Sequence, residues 1–369
     1  MEALDSKLII LGYNYTQRNL GAGMKILVSA LEHSANVHLK SVLEQIECNY
    51  ELSGIFSQEL GNPIIDMQKE AIMGFGDAIK RLPFFFKLAN KMATLAKDVD
   101  KVLLIDSSGF NLPLAKKIKK LYPNKEIIYY ILPQAWAWKQ KRVYTLAKNV
   151  DKLLSIIPFE AKYYPSYANI EYVGHPLLDQ ITEFKTKISK EDKTILFMPG
   201  SRKGEITKLM PIFKELAYKF KDKTLTLAIP PHLKNSPLYG DISQFKPIYD
   251  SKKALKEADF AFICSGTATL EAALIGTPFV LAYKAKPLDY FIGSKLIKLN
   301  YIGLANIFFE QEGKEQFHPE LIQNEVTLDN LYKAYINYNR DKFLQNSKEL
   351  RDYLKYGSAK RVANILCTQ

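Results

Sequence analysis

Short apolar runs, rich in β-branched residues, alternate along this chain with longer stretches of helical pattern. The runs are continuously apolar, which is typical of strands in a parallel sheet that is covered on both faces. Their alternation with helices predicts an α/β fold built from strand–helix units. We predict strands at residues 26–30, 102–105, 126–132, 152–156, 194–198, 224–229, 259–263 and 278–282.

The chain has 369 residues, more than one hydrophobic core usually holds, so two domains are expected. A lysine-rich polar stretch at 179–193 contains no convincing strand and is interpreted as the boundary. We predict a doubly wound domain at 24–178, a second at 179–340 and a helical tail at 341–369. Residues 1–23 precede an ordinary α/β opening at Met24, and are expected to be an extra strand or a leader from an upstream start codon.

Charge and cysteine content restrict the partners and the compartment. The 51 lysines and arginines exceed the 39 aspartates and glutamates, and the net charge of +12 favours a nucleic acid, a phosphorylated substrate or a membrane surface as partner. Three cysteines without a C-x-x-C pair argue against a disulfide scaffold and a structural zinc site. No apolar run approaches the roughly 18 to 20 residues that cross a bilayer, so a cytoplasmic protein is expected.

One loop of the second half has the composition of a phosphate-binding turn. The segment Ser265-Gly266-Thr267-Ala268 leads from a predicted strand into a helix, whose free backbone N–H groups and dipole favour an anion. Glu271, one turn further, is placed to accept hydrogen bonds from ribose hydroxyls. An ordinary helix start is the alternative for this segment.

A second loop of this kind contains Ser201 and Arg202, and a guanidinium group offers a fork of donors to phosphate. A solvated turn explains this loop equally well. The chain contains neither the G-x-x-x-x-G-K-[ST] motif of P-loop ATPases nor a G-x-G-x-x-G dinucleotide motif. ATPase and NAD-enzyme functions are therefore disfavoured.

Polar residues also follow the strands of the first half. Asp106 and Asn111 come just after the strand at 102–105, where a catalytic base or a ligand for a substrate hydroxyl is expected. Both residue types also suit turns, which is the alternative. Glu32 follows the first strand, and Ser34 is predicted to cap the next helix.

Two aromatic clusters stand beside cations. Gln134, Trp136 and Trp138 precede three cations at 139–142, which suits a sugar ring, a sugar phosphate or nucleic-acid bases, with a packed aromatic pair as the alternative. A second cluster has the composition of an interfacial membrane contact, although part of such a run is usually core. Its members are Lys80, Arg81, Phe84, Phe85, Phe86 and Lys87.

No metal or other cofactor is expected. Asp98 and Asp100 have the D-x-D spacing of metal-dependent sugar transferases, but they precede a strand and so lie at the wrong end of the sheet. The five histidines form no ligand set.

Taken together, these segments resemble the lipid-A-disaccharide synthases, a family of sugar-nucleotide glycosyltransferases with the two-domain GT-B fold. The ordered set is specific, and it spans roughly residue 26 to the C-terminus. The matching segments are PQAWAWK at 133–139, PFE at 158–160, GHP at 174–176, PGSR at 199–202 and SGTATLE at 265–271, with weaker matches at 305–306 and 319–323.

Two motifs depart from the family pattern. The first loop usually reads G-E-x-S-G-D; this chain keeps Glu32 and Ser34 but has Ala35 and Asn36 in place of Gly and Asp. The motif I-D-x-P-D-F-N has Gly109 at its second Asp, a favoured candidate for the catalytic base. Asp106 and Glu32 are the nearest remaining carboxylates by motif.

The resemblance implies transfer of 2,3-diacylglucosamine from its UDP derivative to the 6-hydroxyl of 2,3-diacylglucosamine 1-phosphate, with inversion and without a metal. It implies that two doubly wound domains face a cleft, with a helical C-terminal tail. It also implies a peripheral position on the inner face of the cytoplasmic membrane and leaves a homo-oligomer open. Asp106 is the expected base, Asn306 is expected to line the cleft, and Gln323 belongs to a weaker binding motif.

Two other functions compete with this interpretation. Another UDP-sugar enzyme of the same fold, such as an N-acetylglucosaminyltransferase or an epimerase, would have a similar nucleotide half. A basic nucleic-acid-binding protein would explain the charge. The lysines are dispersed rather than arranged in a stripe and no nucleic-acid motif appears, so we expect no nucleic-acid partner.

Overall fold

The computed structural model describes residues 23–67, 82–189, 191–285 and 299–368. Its strands form two six-stranded sheets, one in each half of the sequence. The first sheet contains β1 Met24–Ser29, β2 Tyr50–Ile55, β3 Lys101–Ile105, β4 Glu126–Tyr130, β5 Lys152–Ser155 and β6 Ile170–Tyr172. The second contains β7 Thr194–Met198, β8 Thr224–Ala228, β9 Lys246–Ile248, β10 Phe260–Cys264, β11 Phe279–Tyr283 and β12 Glu320–Ile322.

Helices cover the sheets. The helices of the first half are α1 His33–Leu43, α2 Leu82–Leu95, α3 Ser108–Leu121, α4 Arg142–Asn149 and α5 Pro176–Gln180. Those of the second half are α6 Lys203–Ala217, α7 Ser251–Glu257, α8 Thr267–Ile275, α9 Leu304–Gln311, α10 Leu328–Ile336, α11 Arg340–Leu354 and α12 Ser358–Cys367. Within the described residues, no helix is both long and apolar enough to cross a bilayer.

All strand pairings between these elements are parallel. The first sheet has the order β2-β1-β3-β4-β5-β6, and the second has the order β12-β11-β10-β7-β8-β9. Each order runs outward in both directions from its first strand, which is the doubly wound arrangement predicted from the sequence. Every residue of β3 and β10 is buried, because helices cover both faces of these inner strands.

The eight predicted strands are confirmed, and the four that the pattern did not reveal are β2, β6, β9 and β12. All four lie at sheet edges. An edge strand is partly exposed, and three of these have only three residues, so none presents a continuous apolar run. The fold class is therefore confirmed, and the errors are confined to the edges.

The last helix returns to the first sheet. Ala359, Val362 and Leu366 of α12 pack in one core cluster with residues of β1 and α1. The Lys101 ammonium, at the start of β3, donates hydrogen bonds to the carbonyl oxygens of Ile365 (3.2 Å) and Leu366 (3.0 Å). The end of the chain is thereby fixed to the half in which it began.

A disulfide joins Cys48 to Cys367, 319 residues apart, while Cys264 is a buried free thiol. The sequence argued only against a disulfide scaffold, and it did not anticipate this single bond. The two cysteines come together because α12 packs along α1, a contact between the two ends of the chain that no local pattern reveals.

Candidate active site

The two candidate phosphate loops lie side by side. Strand β7 pairs with β10, so the loops that follow them leave the same edge of the second sheet. Gly200 has φ of +97°, and a Cβ atom there would lie 2.5 Å from the Glu205 carboxylate and 3.2 Å from the Cys264 sulfur. The first loop therefore runs directly against the end of β10, and only glycine fits at the contact.

Helix α8 begins without a side-chain cap. Its flanking residue is Gly266, which has no side chain that could cap the first turn. By contrast, Asp250 caps α7 and Thr327 caps α10. Free N–H groups at a helix start, together with the helix dipole, attract an anion. Ser265, Gly266, Thr267 and Ala268 are partly or fully exposed around this open start.

The neighbouring helix start adds a cation. The Arg202 side chain is 84% exposed, and its guanidinium lies 3.2 Å from the Glu205 carboxylate. Glu205 also accepts a hydrogen bond from the Arg202 backbone N–H at 3.3 Å, so one carboxylate holds both ends of this residue. Ser201 is exposed beside it. The Arg202–Glu205 pair thus places a guanidinium at the same sheet edge at which α8 begins.

Glu271 is half-buried, one turn into α8. Burial raises the pKa of its carboxyl group, with Lys252 opposing the rise and Asp250 adding to it. The carboxyl group thus lies in a confined place beside the open helix start, where it can accept hydrogen bonds.

Asp106 follows β3 in the first sheet. Asp106 and Ser107 have φ of +50° and +44°, a conformation that non-glycine residues seldom adopt and that occurs often at functional sites. The Asp106 carbonyl oxygen accepts hydrogen bonds from the Tyr129 hydroxyl (2.6 Å) and the Asn111 amide (2.8 Å). Burial raises the pKa of the Asp106 carboxyl group, and a backbone hydrogen bond from Ser107 opposes the rise.

The second candidate carboxylate is close to the first. Strand β1 pairs with β3, and the Ser107 hydroxyl donates to the Glu32 carboxylate at 3.4 Å. Glu32 is exposed, and α1 begins at His33, immediately after it. The prediction that Ser34 caps this helix is wrong, because Ser34 lies inside the first turn. Ser34 is nevertheless exposed at the same sheet edge.

Three asparagine side chains hold the loops through hydrogen bonds to the backbone. Asn36 donates to the carbonyl oxygens of Ala30 (2.9 Å) and Glu32 (2.8 Å), so the residue that replaces the family's Asp fixes the first loop. Asn111 and Asn306 are fully buried, and both ends of each amide are hydrogen-bonded. A substrate contact by either of these two amides would require those bonds to break.

The tryptophan loop divides into a buried and an exposed part. The Trp136 ring packs edge-on against Phe159 at 4.9 Å, and Phe159 contacts Phe308 of the second half at 6.1 Å. Trp138 is 37% exposed, and the Lys139 ammonium lies 4.1 Å from its ring centre. Gln134 is also exposed. Trp136 therefore belongs to the core between the halves, whereas Trp138 presents an aromatic face with a cation.

A bridge between the halves was not predicted. The Lys252 ammonium donates to the Gln180 side-chain oxygen at 3.2 Å, and the Gln180 amide nitrogen lies 3.5 Å from Nδ1 of His38. The bridge brings α7 of the second half close to α1 of the first. Each of its members is a lone polar residue on a helix, so no sequence signal marks it.

The remaining predicted residues lie further out. The Gln323 side-chain oxygen accepts a hydrogen bond from the Ala285 N–H at 3.1 Å, so it links the ends of β11 and β12.

The second aromatic cluster lies on α2. Phe84 and Phe86 are 39% and 68% exposed, and Lys87 is exposed, whereas Phe85 turns inward onto Phe110. Lys80 and Arg81 lie outside the described residues.

Two parallel sheets, each with polar loops at its carboxyl edge, define a GT-B type fold. Solved structures share it: a putative UDP-N-acetylglucosamine 2-epimerase from Listeria monocytogenes has a TM-score of 0.58 at 15% identity, with 92% of this chain and 95% of that chain covered. The UDP-GlcNAc 2-epimerase from Neisseria meningitidis bound to UDP-GlcNAc has a TM-score of 0.57 at 11% identity, with 93% and 99% covered.

Sequence comparison identifies the family more specifically than the shared fold does. The family model for lipid-A-disaccharide synthetase matches residues 26–364. The lipid-A-disaccharide synthase of Helicobacter pylori (strain ATCC 700392 / 26695) is 50% identical over 355 residues, covering 92% of this chain and 97% of that protein. That of Campylobacter jejuni (strain RM1221) is 47% identical over 363 residues, covering 92% and 98%. The chain belongs to the lipid-A-disaccharide synthase family and is a glycosyltransferase of lipid A biosynthesis.

The crowding at Gly200 makes a testable prediction. Gly200→Ala should lower the free energy of unfolding by roughly 1 to 2 kcal/mol, because alanine must adopt a left-handed conformation and displace Glu205. Gly204→Ala is the matched control, since a Cβ atom there meets nothing within 4 Å. Chemical denaturation measures both values, and equal stability of the two variants would contradict the described loop.

Proposed function

We propose that this protein transfers a 2,3-diacylglucosamine unit from UDP to the 6-hydroxyl of 2,3-diacylglucosamine 1-phosphate, giving the β-1′,6 disaccharide 1-phosphate and UDP. The observation that carries the proposal is the open start of α8 beside the Arg202 guanidinium, at the ends of the adjacent strands β10 and β7, in a chain of this family. We further propose domains at 24–178 and 179–340 with a tail at 341–369, so that the Gln180 bridge lies near their junction.

The donor diphosphate binds at the second sheet in this proposal. The N–H groups at the start of α8 and the Arg202 guanidinium surround the phosphates, and the Glu271 carboxylate accepts hydrogen bonds from the ribose. These groups stabilise the negative charge that develops as the bond between sugar carbon and phosphate oxygen breaks. We therefore propose that the transfer needs no divalent ion.

Asp106 is the proposed base. The 6-hydroxyl oxygen of the acceptor attacks the anomeric carbon, its proton passes to the Asp106 carboxylate, and UDP leaves with the bonding electrons. A single displacement of this kind inverts the anomeric centre. Asn111 and Tyr129 position Asp106 through its carbonyl oxygen. Glu32 and Ser34 border the same edge, and Glu32 is the alternative base.

The acceptor phosphate and the acyl chains need further contacts. Trp138 with Lys139 offers an aromatic face and a cation to the acceptor 1-phosphate, with Gln134 beside them. Phe84 and Phe86 present exposed aromatic side chains on α2, next to Lys87. We propose that this face of α2 contacts the inner surface of the cytoplasmic membrane, where both lipid substrates reside.

A direct assay tests the reaction. Incubation of the purified chain with both lipid substrates should release UDP and form the disaccharide, with and without EDTA. Mass spectrometry of the lipid product measures the transfer. Formation of an epimerised UDP-sugar without disaccharide would identify another UDP-sugar enzyme of this fold, and loss of transfer in EDTA would contradict the metal-independent step.

The role of Asp106 makes a second prediction. Asp106→Asn should lower kcat by about 10²- to 10⁴-fold. Because burial raises the carboxyl pKa, the neutral amide removes a desolvation cost that the ionised carboxylate carries at neutral pH, and the thermal midpoint should stay equal or rise. The wild-type rate should fall as pH drops through a value above the ordinary aspartate pKa of about 3.9.

Asp98→Asn is the matched control for this measurement, because Asp98 is exposed in the same half of the chain and precedes β3. Its kcat should equal that of the wild type. Near-normal turnover of Asp106→Asn together with a large loss in Glu32→Gln would assign the base to Glu32 instead.

Membrane contact is tested by liposome flotation. The double variant Phe84→Ser and Phe86→Ser should bind anionic vesicles more weakly than the wild type, because it removes exposed apolar area and keeps the partly buried Phe85 against Phe110. Tyr144→Ser, which changes an exposed aromatic residue on α4, is the control. Equal flotation of all three proteins would contradict the proposed membrane face.

A further inference from the structure

A cavity of about 470 Å³ lies between the two halves, beside the buried part of the tryptophan loop. Trp136, Gln140 and Tyr163 of the first half line one side. Asn300, Glu310 and Gln311, which precede and end α9, line the other. Ligand sites of enzymes commonly lie at such junctions and have volumes of this order.

The lining has the chemistry of a carbohydrate site. Two aromatic side chains contribute apolar surface suited to the C–H groups of a sugar ring, and three side-chain amides and a carboxylate offer donors and acceptors to hydroxyl groups. The Asn300 amide already donates to Glu310, which holds that carboxylate in place.

One of the lining residues carries a buried donor that is unsatisfied within the described part of the chain. The Trp136 side chain is 4% exposed, and its indole nitrogen has no hydrogen-bond partner among the described residues. A buried donor without a partner costs free energy, and an oxygen atom of a ligand that reached it would recover this cost.

The loop that lines the cavity starts beside the loop that carries Asp106, and this neighbourhood favours the acceptor sugar. Strand β4, which precedes the tryptophan loop, pairs with β3, which precedes Asp106. The Asp106 N–H donates to the Tyr130 carbonyl oxygen at 3.0 Å, so the two loops start from adjacent positions. The base must meet the hydroxyl of the acceptor rather than the donor, and the tryptophan loop that lines the cavity leaves the sheet beside the loop that carries the base.

We infer that this cavity binds the glucosamine ring of the acceptor, with Trp136 and Tyr163 against the ring and Gln140, Asn300, Glu310 and Gln311 around its hydroxyl and amide groups. The inference rests on the proposed function, since it takes its ligand from that reaction. It adds a binding site, and apart from Trp136 the residues of this site were not singled out by the sequence motifs.

Steady-state kinetics test the assignment. Tyr163→Phe and Glu310→Gln each remove one polar contact at nearly constant volume, and each should raise the acceptor KM by roughly 5- to 10-fold while the donor KM stays within about 2-fold. Tyr167→Phe is the matched control, because Tyr167 is 67% exposed on the same half and does not line the cavity. A rise in donor KM alone, or no change in either KM, would overturn the inference.

Fluorescence provides a readout that does not need turnover. The chain has two tryptophans, so Trp138→Phe, which keeps an aromatic ring at the position proposed to meet the acceptor phosphate, leaves Trp136 as the sole indole reporter. Titration with short-chain diacylglucosamine 1-phosphate should change its emission saturably, and Tyr163→Phe in this background should weaken binding roughly 5- to 10-fold. If the wild type forms no disaccharide but this titration behaves as expected, the proposed reaction fails and the cavity assignment stands. If disaccharide forms but Tyr163→Phe leaves the titration unchanged, the cavity assignment fails.

Discussion

Parallel pairing of the central strands is the constraint on which the site depends. Because β7 lies beside β10 and β1 beside β3, the loops that follow these strands leave the same edge of each sheet. Residues far apart in sequence thereby become neighbours: the Gly200 loop contacts Cys264, and Ser107 reaches Glu32. In a fold of this kind the loops at the carboxyl ends of the strands are where a ligand is held.

The two edges present opposite chemistry. The second sheet offers helix N–H groups and Arg202, which suit phosphate, whereas the first offers carboxylates, which suit a hydroxyl proton. Buried amides hold the loops of the first sheet, and a side-chain bridge joins the two halves. Asn36 and Asn111 fix the carboxylate loops, and the Gln180 bridge links the halves. The proposed transfer needs both kinds of group at once, and in the proposal they come from separate sheets.

The sequence predicted the inner strands and the loops that follow them, because a buried strand has a continuous apolar run and the chemistry starts where that run ends. It did not reveal the edge strands, whose exposed residues interrupt the pattern. It also placed Ser34 as a helix cap, although α1 begins one residue earlier. The helix starts at Thr267 and Lys203 could be predicted because each follows an inner strand.

Contacts between distant segments could not be predicted. The bridge from His38 through Gln180 to Lys252 and the cavity beside Trp136 arise only when the two halves pack together. The disulfide between Cys48 and Cys367 depends on the return of α12 to the first sheet. The inward turn of Phe85 also follows from packing, since three consecutive phenylalanines look alike in sequence.

The central claim is that groups on the two sheets act together in a single displacement at the anomeric carbon. The most direct test is the anomeric configuration of the disaccharide formed by the purified chain, measured by NMR coupling across the new glycosidic linkage. The account predicts a β-1′,6 linkage from an α-linked UDP donor. An α linkage would contradict the single displacement, and the absence of any disaccharide would contradict the proposed reaction itself.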